Sequence, residues 1–312
     1  MPKKPEHSPI QRVKPGELSS FLKKTRQAGR ITSAMERHLA TRELDTSRRQ
    51  DVLHPSEMVK DDACLREMVI RIRNAREGIL PDFERPGLRL QTVFDVGNAT
   101  HERWQHRLGE IGLMWGFWKC VGCGNVTGPS TMSPWSCGFC GHQGKTYVEV
   151  GLTHGLFAGH TDGWLKWPDR PKKDSLLEIK TVGTGTIRTY NPGLLLDNDG
   201  NLEKAFSSIR APFRDHRRQV MTYLWLTREM YDCYELDEKP PVDAVVLYEC
   251  KANQAIKEFT VAYDETLIED VIEAAEDVEW YLKHNKTPKC SVDPKKGSCK
   301  KCGIYDEQGN RK

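Results

Sequence analysis

Residues 159–182, GHTDGWLKWPDRPKKDSLLEIKTV, decide the fold. Two apolar-rich runs flank a turn-rich PDRPKKD, the pattern of two strands joined by a polar loop. In the second run residues two apart share a face, so Glu178 and Lys180 point the same way. Leu176, Leu177, Ile179 and Val182 around them mark a buried strand, where a charged pair needs a reason. The loop allows a hairpin that brings Asp162 beside Glu178. Two carboxylates on neighbouring strands can hold a hard cation such as Mg²⁺ through oxygen. The adjacent ammonium can position a water and offset charge building on a phosphoryl group. Taken alone, Asp-x15-Glu-x-Lys is also what the wet face of a surface strand carries.

Outward from this segment the pattern is mixed. Strands are expected at 146–153, within 155–167, at 242–250 and at 256–263. Helices are expected over 17–43 with a possible break at Gly29, from Ser56 onward and through 62–79, and over 96–113, where His101, Trp104 and Leu108 lie near one face. Two more are expected, at 215–231 and 264–285. The fold class is therefore α/β, with a small Gly-, Ser- and Cys-rich module inserted before the strands. The expected division is a basic helical or disordered segment at 1–50, a helical part at 51–118, the inserted module at 119–143, the sheet-bearing core at 144–285 and a basic Cys-bearing tail at 286–312.

The module carries the most specific local signal. Cys120, Cys123, Cys137 and Cys140 are spaced Cys-x2-Cys-x13-Cys-x2-Cys, and each pair is followed by glycine. Each Cys-x2-Cys turn points two thiolates at one ion, and the glycines let backbone N–H groups approach the sulfurs. Two such turns make a closed tetrahedral site of the zinc-ribbon kind, structural and not catalytic. His142 is a rival ligand, disfavoured because four thiolates are already present. Of the ten cysteines, Cys290, Cys299 and Cys302 form a second group, and Cys64, Cys233 and Cys250 stand alone. With no secretory signal in MPKKPEHSPIQRVKPGE, ligation is favoured over disulfides and a cytoplasmic location is expected. No run approaches the ~18 apolar residues of a membrane span.

The net charge is only +3, but it is unevenly spread: residues 1–50 carry 12 Lys/Arg against 5 Asp/Glu, and residues 283–312 carry 9 against 3. The remainder of the 47 basic and 44 acidic residues leaves 26 against 36 between them. Basic ends around an acidic body suit a polyanion approaching a carboxylate-rich site. Solvated tails on an ordinary surface would look the same. Gln219 and Tyr223 share a helix face at i, i+4, preceded by Arg217 and Arg218, which are candidates for contacting DNA.

Taken together, Gly97-x3-His101, Glu149 in YVEV, Gly159-His-Thr-Asp162, Glu178-Ile-Lys180-Thr181 and Gln219-x3-Tyr223 occur in an order that resembles RecB-type nucleases of the PD-(D/E)xK superfamily, nearest the CRISPR-associated and phage RecB-like exonucleases. The resemblance implies a restriction-endonuclease-like core, a mixed central sheet flanked by helices. It implies that His101, Asp162, Glu178 and the Ile179 carbonyl hold Mg²⁺ or Mn²⁺, and that Lys180 aligns the attacking water. Glu149 would support the site, and Gln219 and Tyr223 would sit beside the DNA path. It further implies a [4Fe–4S] cluster on Cys64, Cys290, Cys299 and Cys302. The tail spacing Cys-x8-Cys-x2-Cys departs from the branch's commoner Cys-x2-Cys-x5-Cys, so a second zinc or free thiols stay open there. The expectation is a metal-dependent DNA exonuclease working on single strands or ends, in phage recombination, repair or CRISPR-type processing, with recombination or replication proteins as possible partners. The alternative is a non-catalytic nucleic-acid-binding protein on a nuclease scaffold.

Overall fold

The computed structural model of the protein describes residues 29–79, 85–132, 135–171, 173–234 and 239–289. The chain divides into two compact units, residues 1–45 with 83–93 and residues 46–82 with 94–312. In the described part of the smaller unit, helix α1 (Arg30–Thr41) is followed by a turn whose Leu39 and Arg42 carbonyls accept from Arg85.

The larger unit is mixed α/β. Its central sheet has the order β6-β7-β8-β9, formed by Gly163–Leu165, Ser175–Val182, Asp243–Cys250 and Ile256–Ala262. Strands β7 and β8 run parallel, and the outer pairs are antiparallel. Every residue of β8 is buried, as the apolar run AVVLY between Asp243 and Glu249 demands of a strand covered on both faces. The connection from β7 to β8 passes through helix α8 (Arg214–Cys233), after three short helices at Thr184–Tyr190 (α5), Gly193–Leu196 (α6) and Leu202–Ser207 (α7). Helix α9 (Glu269–Lys283) follows β9.

Alternation along β7 divides the core in two. Leu176 and Val182 belong to a cluster with Val220, Met221 and Leu224 of α8, whereas Leu177 and Ile179 join Met114, Trp118 and Met132. Glu178 and Lys180 are thereby carried on the α8 side of the sheet. Trp118 and Met132 come from the Cys-bearing segment, so that module supports the back of the strand that bears the charged pair.

The segments expected as single strands at 146–153 and 155–167 are each split in two. Lys145–Val148 (β3) belongs to a three-stranded antiparallel sheet with Gly116–Cys120 (β1) and Val126–Ser130 (β2), while Val150–His154 (β4) pairs with Phe157–Thr161 (β5). Glu149 and Asp162 occupy the two switch points, where the chain leaves one sheet for another. The sheet of the Cys-bearing module thus extends to both sides of the expected 119–143. Helix α2 (Pro55–Met58) is a single turn, and α3 (Leu65–Arg76) lies inside the expected 62–79. The helix expected at 96–113 starts earlier, as α4 (Leu88–Glu110). No helix among the described residues is long and apolar enough to cross a membrane.

Candidate active site

Four elements deliver the charged groups. Helix α4 brings His101, the β3–β4 switch Glu149, the β5–β6 switch Asp162, and β7 Glu178 and Lys180. Antiparallel pairing of β6 on β7 sets Gly163 opposite Leu177, which leaves Asp162 beside the following residues of β7. Its Oδ2 accepts from the Ile179 N–H at 2.6 Å, and its Oδ1 lies 3.2 Å from His101 Nδ1. The hairpin expected from the sequence therefore forms, and what locks it is a backbone amide donating to the carboxylate. Gly163 leaves room here for Met114, whose Cε would lie 2.6 Å from a Cβ and would have to shift.

Ligand atoms of His101, Glu149 and Asp162 all lie within 4.8 Å of one another. Glu149 thus stands with the prospective ligands, although the sequence pattern assigned it only support. Glu178 is 1% exposed and accepts from Lys180 Nζ and from Gln219 Nε2, the latter at 2.9 Å. Both contacts fall on Oε1, and Oε2 is buried without a hydrogen-bond partner. Glu178 is not among the three residues whose ligand atoms gather within 4.8 Å; its unpaired buried oxygen costs free energy that a cation can recover, and in that respect these carboxylates fit a divalent metal.

The electrostatics have the same origin. Burial pushes the Glu178 carboxyl up to about 7, with Asp162 adding to the rise against the pull of Lys180. Burial draws the Lys180 ammonium down, but Glu178 and Asp162 more than restore it and its pKa ends above the ordinary value. His101 is lowered by burial and raised further by its bond to Asp162, and its net pKa is raised. The surrounding protein and the charge of Asp162 raise Glu149. Carboxylates held this close repel, and a bound cation is the natural counter-charge.

Gln219 and Tyr223 are buried, and Gln219 Nε2 also donates to the Tyr223 hydroxyl at 3.2 Å. Gln219 positions Glu178, and Tyr223 also lines a cleft beside the site. Arg218, expected on the DNA side, is only 6% exposed and donates to the carbonyls of Val59 and Leu267 and to Asp270. Its guanidinium ties α8 to two neighbouring segments and is not available to a phosphate. Arg217 is exposed.

Two supporting residues escaped the sequence reading. Gln105 is buried and donates to the Asp162 carbonyl at 2.9 Å and towards Glu149 at 3.4 Å. Its signal was available, since it follows His101 by one helical turn. His216 was not legible. It takes the Tyr248 hydroxyl on Nδ1 at 2.6 Å, while that hydroxyl accepts from the Phe213 N–H at 2.9 Å. Burial, aided by the Lys180 charge, lowers His216 to about 3, so a neutral imidazole lies near the ammonium.

In the four-cysteine module the two turns repeat one geometry. The Gly124 N–H donates to the Cys120 carbonyl and the Gly141 N–H to that of Cys137, both at 2.9 Å. Both glycines have φ of 72°, which explains the glycine after each pair. Sγ atoms of Cys120 and Cys140, and of Cys123 and Cys137, are 3.7 Å apart. Cys137 is lowered to about 6, chiefly by backbone N–H groups of Cys140 and Phe139. His142 stands outside the cluster and lies against Gly122.

Cys64 caps the start of α3 and is partly exposed, whereas Cys290, Cys299 and Cys302 lie outside the described residues. The last described stretch runs along α3: Arg73 binds the Lys286 carbonyl and the Thr287 hydroxyl, and Arg66 binds the Pro288 carbonyl. Its direction is toward Cys64.

No family model and no curated protein matches the chain. Among solved structures it is similar to the alkaline exonuclease from Laribacter hongkongensis, with 13% identity, a TM-score of 0.41 and coverage of 76% of this chain and 90% of that one. The same exonuclease in complex with dAMP gives 13% identity, a TM-score of 0.40 and the same coverage. Scores at this level leave the site's own side chains as the guide to function.

Proposed function

We propose that the chain is a metal-dependent DNA nuclease, an exonuclease acting on single strands or DNA ends. The reading is carried by one observation: Asp162 binds the backbone of the strand that bears Glu178 and Lys180, and a buried carboxylate oxygen of Glu178 has no hydrogen-bond partner. His101, Glu149, Asp162 and Glu178 would hold Mg²⁺ or Mn²⁺, because carboxylate oxygens suit hard cations. Bound there, the ion would supply a nucleophilic water at neutral pH and charge stabilisation at the phosphoryl oxygens. Lys180, kept charged by Glu178, places an ammionium-type donor at the reacting phosphate and orients the water. Gln219 and Tyr223 hold Glu178, and Gln105 holds the Asp162 backbone. Water adds to phosphorus as the P–O bond to the leaving oxygen breaks; the water gives up a proton to bulk solvent, and the leaving oxygen takes one from it.

The four cysteines are assigned to one structural zinc. A tetrahedron with Zn–S of about 2.3 Å has S···S edges of about 3.8 Å, close to the observed 3.7 Å. Cys64, Cys290, Cys299 and Cys302 are assigned to a [4Fe–4S] cluster. From Pro288 to Cys290 the chain can span up to about 7 Å, and Arg66, two residues after Cys64, already holds Pro288.

The test is incubation of purified protein with end-labelled single- and double-stranded DNA under Mg²⁺ or Mn²⁺, alongside Asp162→Ala and Lys180→Ala. Cleavage by the wild type, with loss in both variants and DNA binding retained, is the expected result. Cleavage persisting in both variants would refute the assigned site.

A further inference from the structure

Two clefts flank the site and share one residue. The larger, about 850 Å³, lies between α4 and β3 and is lined by Arg103, His106, Lys145, Thr146 and Glu149. The smaller, about 410 Å³, is lined by Arg48, Arg49, His54, Ser56 and Tyr223. His160 lines both. It is exposed, lies on β5 two residues before Asp162, and faces Gly151 across the β4–β5 ladder. The His160 imidazole stands over Gly151, whose Cβ position would lie 3.6 Å from Nε2, an ordinary contact distance.

The lining suits a polyanion. The smaller cleft has two guanidiniums and two imidazoles and no carboxylate, and the larger has His106 and Arg103, the latter paired with Glu249, beside Glu102 and Glu149 at its acidic end. Arg48 and Arg49 are paired with Glu57 and Asp51, but all four side chains are at least a third exposed. Such pairs contribute little and exchange readily for a phosphate. The β1–β3 sheet that forms one wall of the larger cleft belongs to a stretch, residues 111–148, without a single Asp or Glu. In a chain with 44 acidic residues that stretch adds no carboxylate of its own against a phosphate backbone.

We propose, resting on the nuclease reading, that the substrate strand is gripped on both sides of the cut by these two clefts, and that His160 donates a hydrogen bond to the phosphate next to the scissile one where they meet. The four-cysteine module then does more than support the sheet: its β3 strand is a wall of the nucleic-acid path. His160 is a positioning residue here, acting on the substrate and not on the metal.

The experiment compares wild type, His160→Ala, His160→Asn and Thr146→Glu for Mn²⁺ affinity, binding of a fluorescein-labelled single strand in Ca²⁺, and cleavage in Mg²⁺. His160→Ala should raise KM and the DNA Kd about tenfold, the worth of one phosphate hydrogen bond, with kcat and Mn²⁺ affinity nearly unchanged. His160→Asn, which keeps a donor, should recover part of the loss. Thr146→Glu, a charge on the β3 wall, should weaken DNA binding by a similar factor while the protein keeps its thermal stability. If the wild type cuts DNA but His160→Ala and Thr146→Glu bind it as tightly, the two-cleft path is wrong and the nuclease reading stands. If His160→Ala loses Mn²⁺ affinity, its place is in the metal site and the proposal fails. If the wild type neither binds nor cuts any strand, the nuclease reading itself falls.

Discussion

Glu178 should make the metal-free protein lose stability as pH rises. Burial lifts its carboxyl from 4.5 to about 7 in the folded chain. Between those values the native state keeps a proton that the unfolded chain has released, so ν of the unfolded state is the smaller and stability falls with rising pH. Integrated over about 2.5 pH units at 1.36 kcal/mol each, the loss is up to about 3 kcal/mol. Glu178→Gln removes that titration and should flatten the slope by the same amount, since other groups contribute equally to both proteins. Urea unfolding at pH 5, 6, 7 and 8 reads it, in buffer freed of divalent ions without a chelator so that the zinc proposed for the cysteine module is not stripped. Saturating Mn²⁺ should abolish the difference by supplying the missing partner of Oε2. Equal pH slopes for wild type and Glu178→Gln without added metal would refute the argument that burial strains this carboxylate.

Three further outcomes follow from the geometry. Arg218→Ala should cost about 2 kcal/mol or more in urea unfolding, because it orphans the buried carbonyl of Val59, whereas Arg217→Ala should lower DNA affinity and its salt dependence with little change in stability. Elemental analysis should find one zinc per chain, lost in Cys137→Ser along with solubility, because a closed thiolate site contributes folding energy; full zinc content in the variant would overturn the assignment. Anaerobically purified protein should be brown, with iron and a broad absorption that Cys64→Ser removes; a colourless protein with two zinc ions would replace the cluster by a second zinc.

The pattern along β7 was legible without coordinates, because side chains alternate between the two faces with period two and a buried Glu-x-Lys strand is conspicuous among leucines and isoleucine. The four-cysteine site was equally legible, since its ligands are close in sequence and a Cys-x2-Cys-Gly turn carries its own geometry. The long amphipathic helices followed from their 3.6-residue period. What lay beyond the sequence was every feature that depends on chain direction changing between sheets. Glu149 and Asp162 read as interior residues of two continuous strands, yet each lies at the point where the chain crosses from one sheet to another. Neither apolar alternation nor propensity marks such a crossing, because both halves keep strand character. Arg218 looked like half of a basic pair on a helix surface, but the turn of α8 and the approach of Val59 and Leu267 bury it. Gln219 and Tyr223 share a face by helical spacing alone, but that the face meets Glu178 depends on how α8 lies on the sheet. Local periodicity determined the elements; long-range packing decided which carboxylate oxygen was left without a partner.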